Sequence, residues 1–280
     1  MNRFQFSTHW IIGFFLLCGC AGGLARPSPS PQPAPLPSPT GTIAPSPSPA
    51  PSATLTPADT PVPLALFCSP LEGFERAQLL AAVSNPYHPP PPGSDMPHAG
   101  LDLADTAPGS QLARTGRSVR AFMAGRAAAV IHDRFPFGNA LIVETSLQGL
   151  ALPDGLSLPG MAPTPAAIQS LTCPAPSGAW DFSAPRSLYI LYAHLQAAPA
   201  FTSGDALACG QPIGQVGMSG NAINPHLHFE TRLGPPGLTF ASLAHYDVSA
   251  TPAEMAAYCD WSVRGVFQLV DPLLWLNQLK

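Results

Sequence analysis

The chain has 280 residues, of which 37 are Pro and only 10% are charged, and its formal net charge is −4. It is not basic enough to point to nucleic acid, and not charged enough to be disordered throughout. The prolines are unevenly spread, which implies a linker joined to a folded part.

Residues 1–20 read as an export signal. Arg3 gives a short basic start, and Trp10 to Leu17 is an apolar run. The apolar stretch to Ala25 is short for a bilayer span of about 20 residues. It ends in Leu17-Cys18-Gly19-Cys20, which resembles the bacterial lipobox. In such lipoproteins the signal is cut before the Cys and the Cys is acylated, which here is Cys20. An ordinary signal peptide with an incidental Cys, or an uncleaved anchor, gives a similar sequence. Residues 21–62 are a Pro/Ser/Ala-rich linker that lacks the apolar side chains needed to fold. In polyproline II form, at about 3.1 Å per residue, its stretch 27–62 reaches roughly 100 Å. A tether for a membrane-anchored head and a passive spacer have the same composition.

The folded part is expected over 63–280, long enough for one core. Cys18 and Cys20 belong to the signal region. Cys68, Cys173, Cys209 and Cys259 remain, and an even number in an exported domain predicts two disulfides. Three connectivities are open. Tying each insertion or terminus to the core suggests Cys173 with Cys209 and Cys68 with Cys259. No two of these Cys are close in sequence, so their spacing does not point to a zinc site of four thiolates.

After an irregular Asn85-Pro86-Tyr87-His88 loop and four prolines comes His98-Ala-Gly-Leu-Asp102. As a strand it puts His98, Gly100 and Asp102 on one face. Gly100 leaves room there for an ion or a substrate backbone. Imidazole plus carboxylate suits Zn²⁺, although a His and an Asp on an exposed strand edge would read alike. Short β-type segments follow at Ser118–Met123, Arg126–His132, Asn139–Thr145 and Leu188–Leu195, each closed by a turn signal. This rhythm predicts an all-β, mainly antiparallel domain. Residues 147–187 and 234–262 interrupt it as loop-rich insertions, the second partly helical around Pro252 to Tyr258. Tyr192 and His194 are expected to share a strand face. Gly214 to Gly220 reads as a tight turn. It leads into Asn224-Pro-His226-Leu-His228-Phe-Glu230, whose strict alternation is that of a half-buried strand. His226 and His228 then lie about 7 Å apart on one side, while Leu227 and Phe229 face a core. Alone, two alternating His are more often a solvated face.

Together, His98-Ala-Gly-Leu-Asp102, Tyr192-Ala-His194-Leu, the Gly-x-Ser-Gly turn at 217–220, Pro225-His-Leu-His-Phe-Glu230 and the closing Val270-Asp271-Pro272 resemble the lysostaphin-type zinc peptidases of the M23, or LytM, family. The resemblance covers roughly 95 to 232 and the last dozen residues. It implies an antiparallel, duplicated-hybrid-motif-like β-sheet sandwich with a groove. It also implies a zinc-dependent endopeptidase acting on cross-links or stem peptides of bacterial peptidoglycan. Carried over by position, His98, Asp102 and His228 would hold one Zn²⁺, and His194 and His226 would be the catalytic histidines, with either able to take the proton. An exported lipoprotein, anchored to the membrane through Cys20 and facing the cell wall or periplasm, fits this activity, and no nucleic-acid partner is implied. The chain departs from the family in two ways. Ser94 to Pro97 holds no Tyr, which family members often carry before the first His, and Tyr87 could substitute only by loop folding. The two insertions are additional. The second reading, an envelope protein that binds cell wall or activates another wall hydrolase, is disfavoured by the five retained polar positions.

Overall fold

Strand-forming segments dominate, and they assemble as the alternation predicts. The computed structural model describes residues 66–280, apart from 108, 151, 153–157, 159–169 and 184. The export signal, Cys20 and the linker to residue 62 therefore lie outside the described residues, as does much of the middle of 147–187.

In chain order the elements are α1 (Arg76–Ala81), β1 (Val83–Asn85), β2 (Leu101–Leu103), β3 (Ser118–Arg120), β4 (Gly125–Arg134), β5 (Gly138–Ser146), β6 (Ser187–Leu195), β7 (Ala206–Leu207), β8 (Pro212–Gln215), β9 (Leu227–Gly234), α2 (Pro252–Ser262), β10 (Gln268–Val270) and α3 (Pro272–Leu276). Eight strands form one sheet in the order β1-β2-β9-β6-β5-β4-β7, with β10 pairing β9 beside β2, and β3 and β8 form a separate pair. All named pairings are antiparallel. The domain is thus all-β and mainly antiparallel.

Both faces of the central strands are covered, so β6 is buried along its whole length. Such a strand reads as a continuous apolar run rather than a half-polar one. One face packs Leu141, Val143, Ile190, Tyr192, Leu227 and Phe229 against Val119, Ile213 and Trp275. The other packs Ala140, Ile142, Tyr189, Leu191 and Ala193 against Phe240, Leu243, Tyr258, Trp261 and Phe267. The second insertion therefore roofs this second face. Its helix α2 starts at a capping box of Thr251 and Glu254 with Pro252 in the first turn. Arg134 of β4 pins it there by hydrogen bonds to both Glu254 oxygens, at 2.8 and 2.7 Å.

All four cysteines of the folded part are in disulfides, but the suggested pairing is wrong. The bonds are Cys68–Cys209 and Cys173–Cys259, with Cα–Cα distances of 5.7 and 6.0 Å. The reason is the sheet. The Cys68 amide donates to the Phe122 carbonyl and the Cys209 sulfur lies against the same oxygen, beside the first core. Cys259 lies on α2 over the second core. A disulfide needs Cα atoms within about 7 Å, so it cannot join cysteines on opposite faces. Cys173–Cys259 instead joins the two insertions to each other.

Candidate metal centre

Three elements bring the candidate ligands together. β2 pairs with β9 so that Asp102 lies opposite His228. His98 is not in a strand; a two-way backbone bridge to His88 fixes it just before β2, with N···O distances of 3.0 and 3.1 Å. Gly100 does not hold open space for an ion. A Cβ there would meet the Phe229 carbonyl at 2.8 Å and His228 Nε2 at 2.9 Å. The missing side chain is what lets the His228 ring lie close against the β2 backbone.

His98 Nε2, Asp102 Oδ1 and His228 Nδ1 form a triangle with sides of 3.1, 3.2 and 2.9 Å. Each imidazole has its other nitrogen engaged. His98 Nδ1 donates to the Pro86 carbonyl at 2.8 Å, and His228 Nε2 donates to Glu230 Oε2 at 3.2 Å. In the neutral tautomers that these bonds select, two imidazole lone pairs and a carboxylate oxygen converge. Such a convergence is repulsive unless a proton or a cation sits among them. Donors 2.0–2.1 Å from a tetrahedral zinc stand about 3.3 Å apart, so the donor set and its spacing fit that ion. The remote-nitrogen contacts fit as well, because metal-binding imidazoles are commonly held by a carboxylate or carbonyl.

Electrostatics support the same reading. Burial alone would raise the Asp102 carboxyl, but hydrogen bonds from His228 and His98 hold it far below the usual carboxylate range. Burial opposes charging His228, yet Asp102 and Glu230 outweigh it and push the ring up to about 9. Burial would raise Glu230 too, but Arg232 and His228 lower it to about 2. Arg232 bonds Glu230 and the Trp261 carbonyl and stacks on the Trp261 ring at 4.9 Å. Asn85 Nδ2 donates to the outer oxygen of Asp102 at 3.0 Å.

His194 and His226 flank the triangle. Their rings are 4.7 Å apart, and His194 is 5.8 Å from His228. His226 Nε2 is 3.6 Å from Asp102 Oδ1. His226 Nδ1 donates to the Asn224 carbonyl and His194 Nδ1 to the Ser219 carbonyl, both at 2.8 Å. Both rings thus carry their lone pair on Nε2. Burial first, then the neighbouring imidazoles, lower His194 to about 3.

The expectation that His194 shares a face with Tyr192 fails. The Tyr192 ring packs against Phe229 and its hydroxyl accepts the Phe122 amide inside the first core. Asn139 and Leu141 of β5 pair with Leu195 and Tyr192, so β6 carries one extra residue between those partners. That residue is accommodated at His194, whose φ is +61°. The bulge breaks the alternation and re-aims the ring toward His226 and His228. The Gly-x-Ser-Gly turn serves this arrangement. Ser219 Oγ donates to the Leu195 carbonyl and accepts the Asn139 amide. A Cβ on Gly220 would strike the Gly138 backbone at 2.3 Å.

The sequence reading missed Asn85, Ser219 and Arg232 as supports, and treated Glu230 only as one of the alternating polar positions. For Glu230 and Arg232 the signal was present, since they continue the 226/228 face. For Asn85 there was none, because only folding brings β1 to β2. Tyr87 lines a separate cavity with Arg232 and Gln268.

An all-β domain in which His228 of β9 stands beside Asp102 of β2, with His98, His194 and His226 around them, defines a candidate metallohydrolase centre. Residues 182–237, which contain His194, His226 and His228, match the family model described as Peptidase family M23. No curated protein matches the chain. Among solved structures it is similar to a putative M23 peptidase from Pseudomonas aeruginosa at 18% identity and TM-score 0.33, covering 71% of this chain and 50% of that one. It therefore spans half the length of that relative. It is also similar to the catalytic domain of the prophage-encoded M23 protein EnpA from Enterococcus faecalis at 20% identity and TM-score 0.34, covering 63% of this chain and 91% of that one. The lysostaphin catalytic domain from Staphylococcus simulans matches at 17% identity and TM-score 0.36, over 73% of this chain and 100% of that one. The fold class itself stands on the sheet described above.

Proposed function

We propose that this protein is an exported zinc-dependent endopeptidase that cleaves cross-links or stem peptides of bacterial peptidoglycan. The observation that carries the reading is the convergence of His98, Asp102 and His228 donor atoms, with His194 and His226 beside them. His98, Asp102 and His228 would hold the ion. When bound, it would polarise the scissile carbonyl and lower the pKa of an attacking water toward about 7. With Nδ1 donating to the Ser219 carbonyl, His194 keeps its lone pair on Nε2 and could accept a proton from that water. His226 Nε2 has the same free lone pair and lies nearer Asp102. Whichever ring takes the proton can return it to the departing amine, leaving a new carboxylate and a new amino terminus. The family match supports peptide hydrolysis, the peptidoglycan substrate is inferred from the motif resemblance, and the two disulfides fit an oxidising, exported setting.

The test is digestion of purified peptidoglycan by the purified protein, with zinc and with a chelator, followed by mass spectrometry. New amino termini within stem or bridge peptides, lost with the chelator, are expected. Wall binding without cleavage, or cleavage only through an added amidase, would favour the binding-protein reading instead. Anchoring at Cys20 is a separate part of the proposal. Metabolic labelling with a fatty acid should mark the native chain and not Cys20→Ala, and an unlabelled native chain of unchanged size would refute it.

A further inference from the structure

The segment from Pro89 to Pro97 leaves the sheet and returns at His98, its ends joined by the His88–His98 bridge. Its middle is tied to the rest of the domain at Gly93 and Asp95, and both ties come from the insertions. The Ser170 amide donates to the Gly93 carbonyl at 2.8 Å. The Tyr246 and Tyr258 hydroxyls both donate to Asp95 Oδ2 at 2.8 Å. Two phenols on one carboxylate oxygen make a specific attachment rather than a chance surface contact. Tyr258 belongs to α2 and is 4% exposed, whereas Tyr246 is 57% exposed. Tyr246 has a φ of +62°. A bulky residue is rarely held there unless its surroundings fix it.

The surroundings do fix it. His245 accepts the Tyr246 amide at Nδ1, which leaves its Nε2–H to donate to the Thr172 carbonyl at 3.2 Å. The His245 amide donates to the Phe135 carbonyl at 3.1 Å. Next to Thr172, Cys173 is bonded to Cys259 of α2. Arg264 adds bonds to the Pro174 carbonyl and to Asp260, and Asp260 also accepts from Ser177. Residues 170–177 of the first insertion are thus cross-linked to the second, and their joint grip on the sheet domain includes the arm that ends in His98.

We propose that Asp95, Tyr246 and Tyr258 are positioning residues that set the His98 arm of the metal centre, with the Cys173–Cys259 staple holding the two tyrosines in place. This rests on the reading of His98 as a metal ligand. The insertions are then more than a roof over the second core: they hold one ligand in register with the two supplied by β2 and β9. Loss of outer partners of a ligand typically costs about 10–100-fold in metal affinity. A phenol acting on Asp95, three peptide bonds from His98, belongs at the lower end of that range.

The experiment compares the wild type with the Tyr246→Phe/Tyr258→Phe double variant, which keeps both rings and removes both hydroxyls. Zinc dissociation constants are measured by chelator competition, and amide hydrogen exchange is followed on the metal-free proteins. The double variant is expected to bind zinc about tenfold more weakly. It should also exchange faster at Asp95, Met96 and His98, with β6 unchanged. Asp95→Ala should match it, while Asp95→Asn, which keeps an acceptor oxygen, should fall between. Zinc affinity within twofold of wild type, or exchange raised equally across α2 and β6, would overturn the proposal and reduce the contacts to ordinary fold support. If the wild type binds no zinc, the metal reading fails. Exchange at the arm then decides the clamp alone, and unchanged rates there would overturn it.

Discussion

The two sides of β9 do different work. Leu227, Phe229 and Leu233 enter the first core, among many apolar neighbours that share the packing. His228, Glu230 and Arg232 lie on the other side, opposite Ala193, Leu191 and Tyr189 of β6. There each polar group has named partners, running from Asp102 through His228 and Glu230 to Arg232 and Trp261. Hydrophobic burial is non-directional, so the first side tolerates exchange of one apolar residue for another of similar volume. The second side depends on hydrogen-bond direction and charge, so single atoms matter. One strand supplies both because its side chains alternate. The insertion that roofs the second face covers the polar row at Arg232, through Trp261, and leaves the histidine end beside the His98 arm.

Substitutions that separate the sides should give different signatures. His194→Ala should lower turnover by about 10²–10⁴-fold while bound zinc per chain is unchanged; loss of zinc with the rate would mean that His194 is a ligand. Phe229→Ala, on the apolar side, should cost about 3–5 kcal/mol of stability in denaturant unfolding, with zinc stoichiometry kept in the folded fraction. Zinc lost from folded protein would show that the two sides are not separable. Asn85→Ala removes the bond to the outer Asp102 oxygen and should weaken zinc binding by about 10–100-fold, with little change in melting temperature.

The smallest effect concerns the roof. Burial would raise the Glu254 carboxyl, but Arg134 and the Thr251 cap hold it below its usual range. A depressed folded value means that the stabilisation is present above the unfolded pKa near 4.5 and is lost as pH falls through the folded value. Acidification below about pH 4.5 should therefore loosen α2 by about 1 kcal/mol or less. Trp261 fluorescence would report it, and Glu254→Gln should abolish that dependence.

The polar side was legible in sequence wherever chemistry and period coincide. His226, Leu227, His228, Phe229 and Glu230 declare their faces by alternation alone, and the observed cores follow it for 227 and 229. His98 and Asp102 were found by motif, although the expected strand at His98 is a bridge. Alternation failed at His194 because a bulge depends on how β5 and β6 register, which no local pattern encodes. The disulfide pairing failed for a related reason. Which cysteines meet depends on which face each insertion covers, and that is decided by packing of Phe240, Trp261 and Phe267. Asn85 and the Asp95 clamp join residues 17 to 163 positions apart, beyond the reach of any spacing argument.

The central claim is that His228, and not His226, completes the ligand set with His98 and Asp102. Both rings are buried to the same degree, at 7% exposure, and they stand two residues apart, so their separate replacement is a matched comparison. The measurement is bound zinc per chain by elemental analysis, beside the rate of peptide cleavage, for His226→Ala and His228→Ala. The geometry predicts that His228→Ala loses both metal and rate, while His226→Ala keeps one zinc and loses rate alone. Metal lost from His226→Ala and kept by His228→Ala, or neither property altered in either variant, would contradict it.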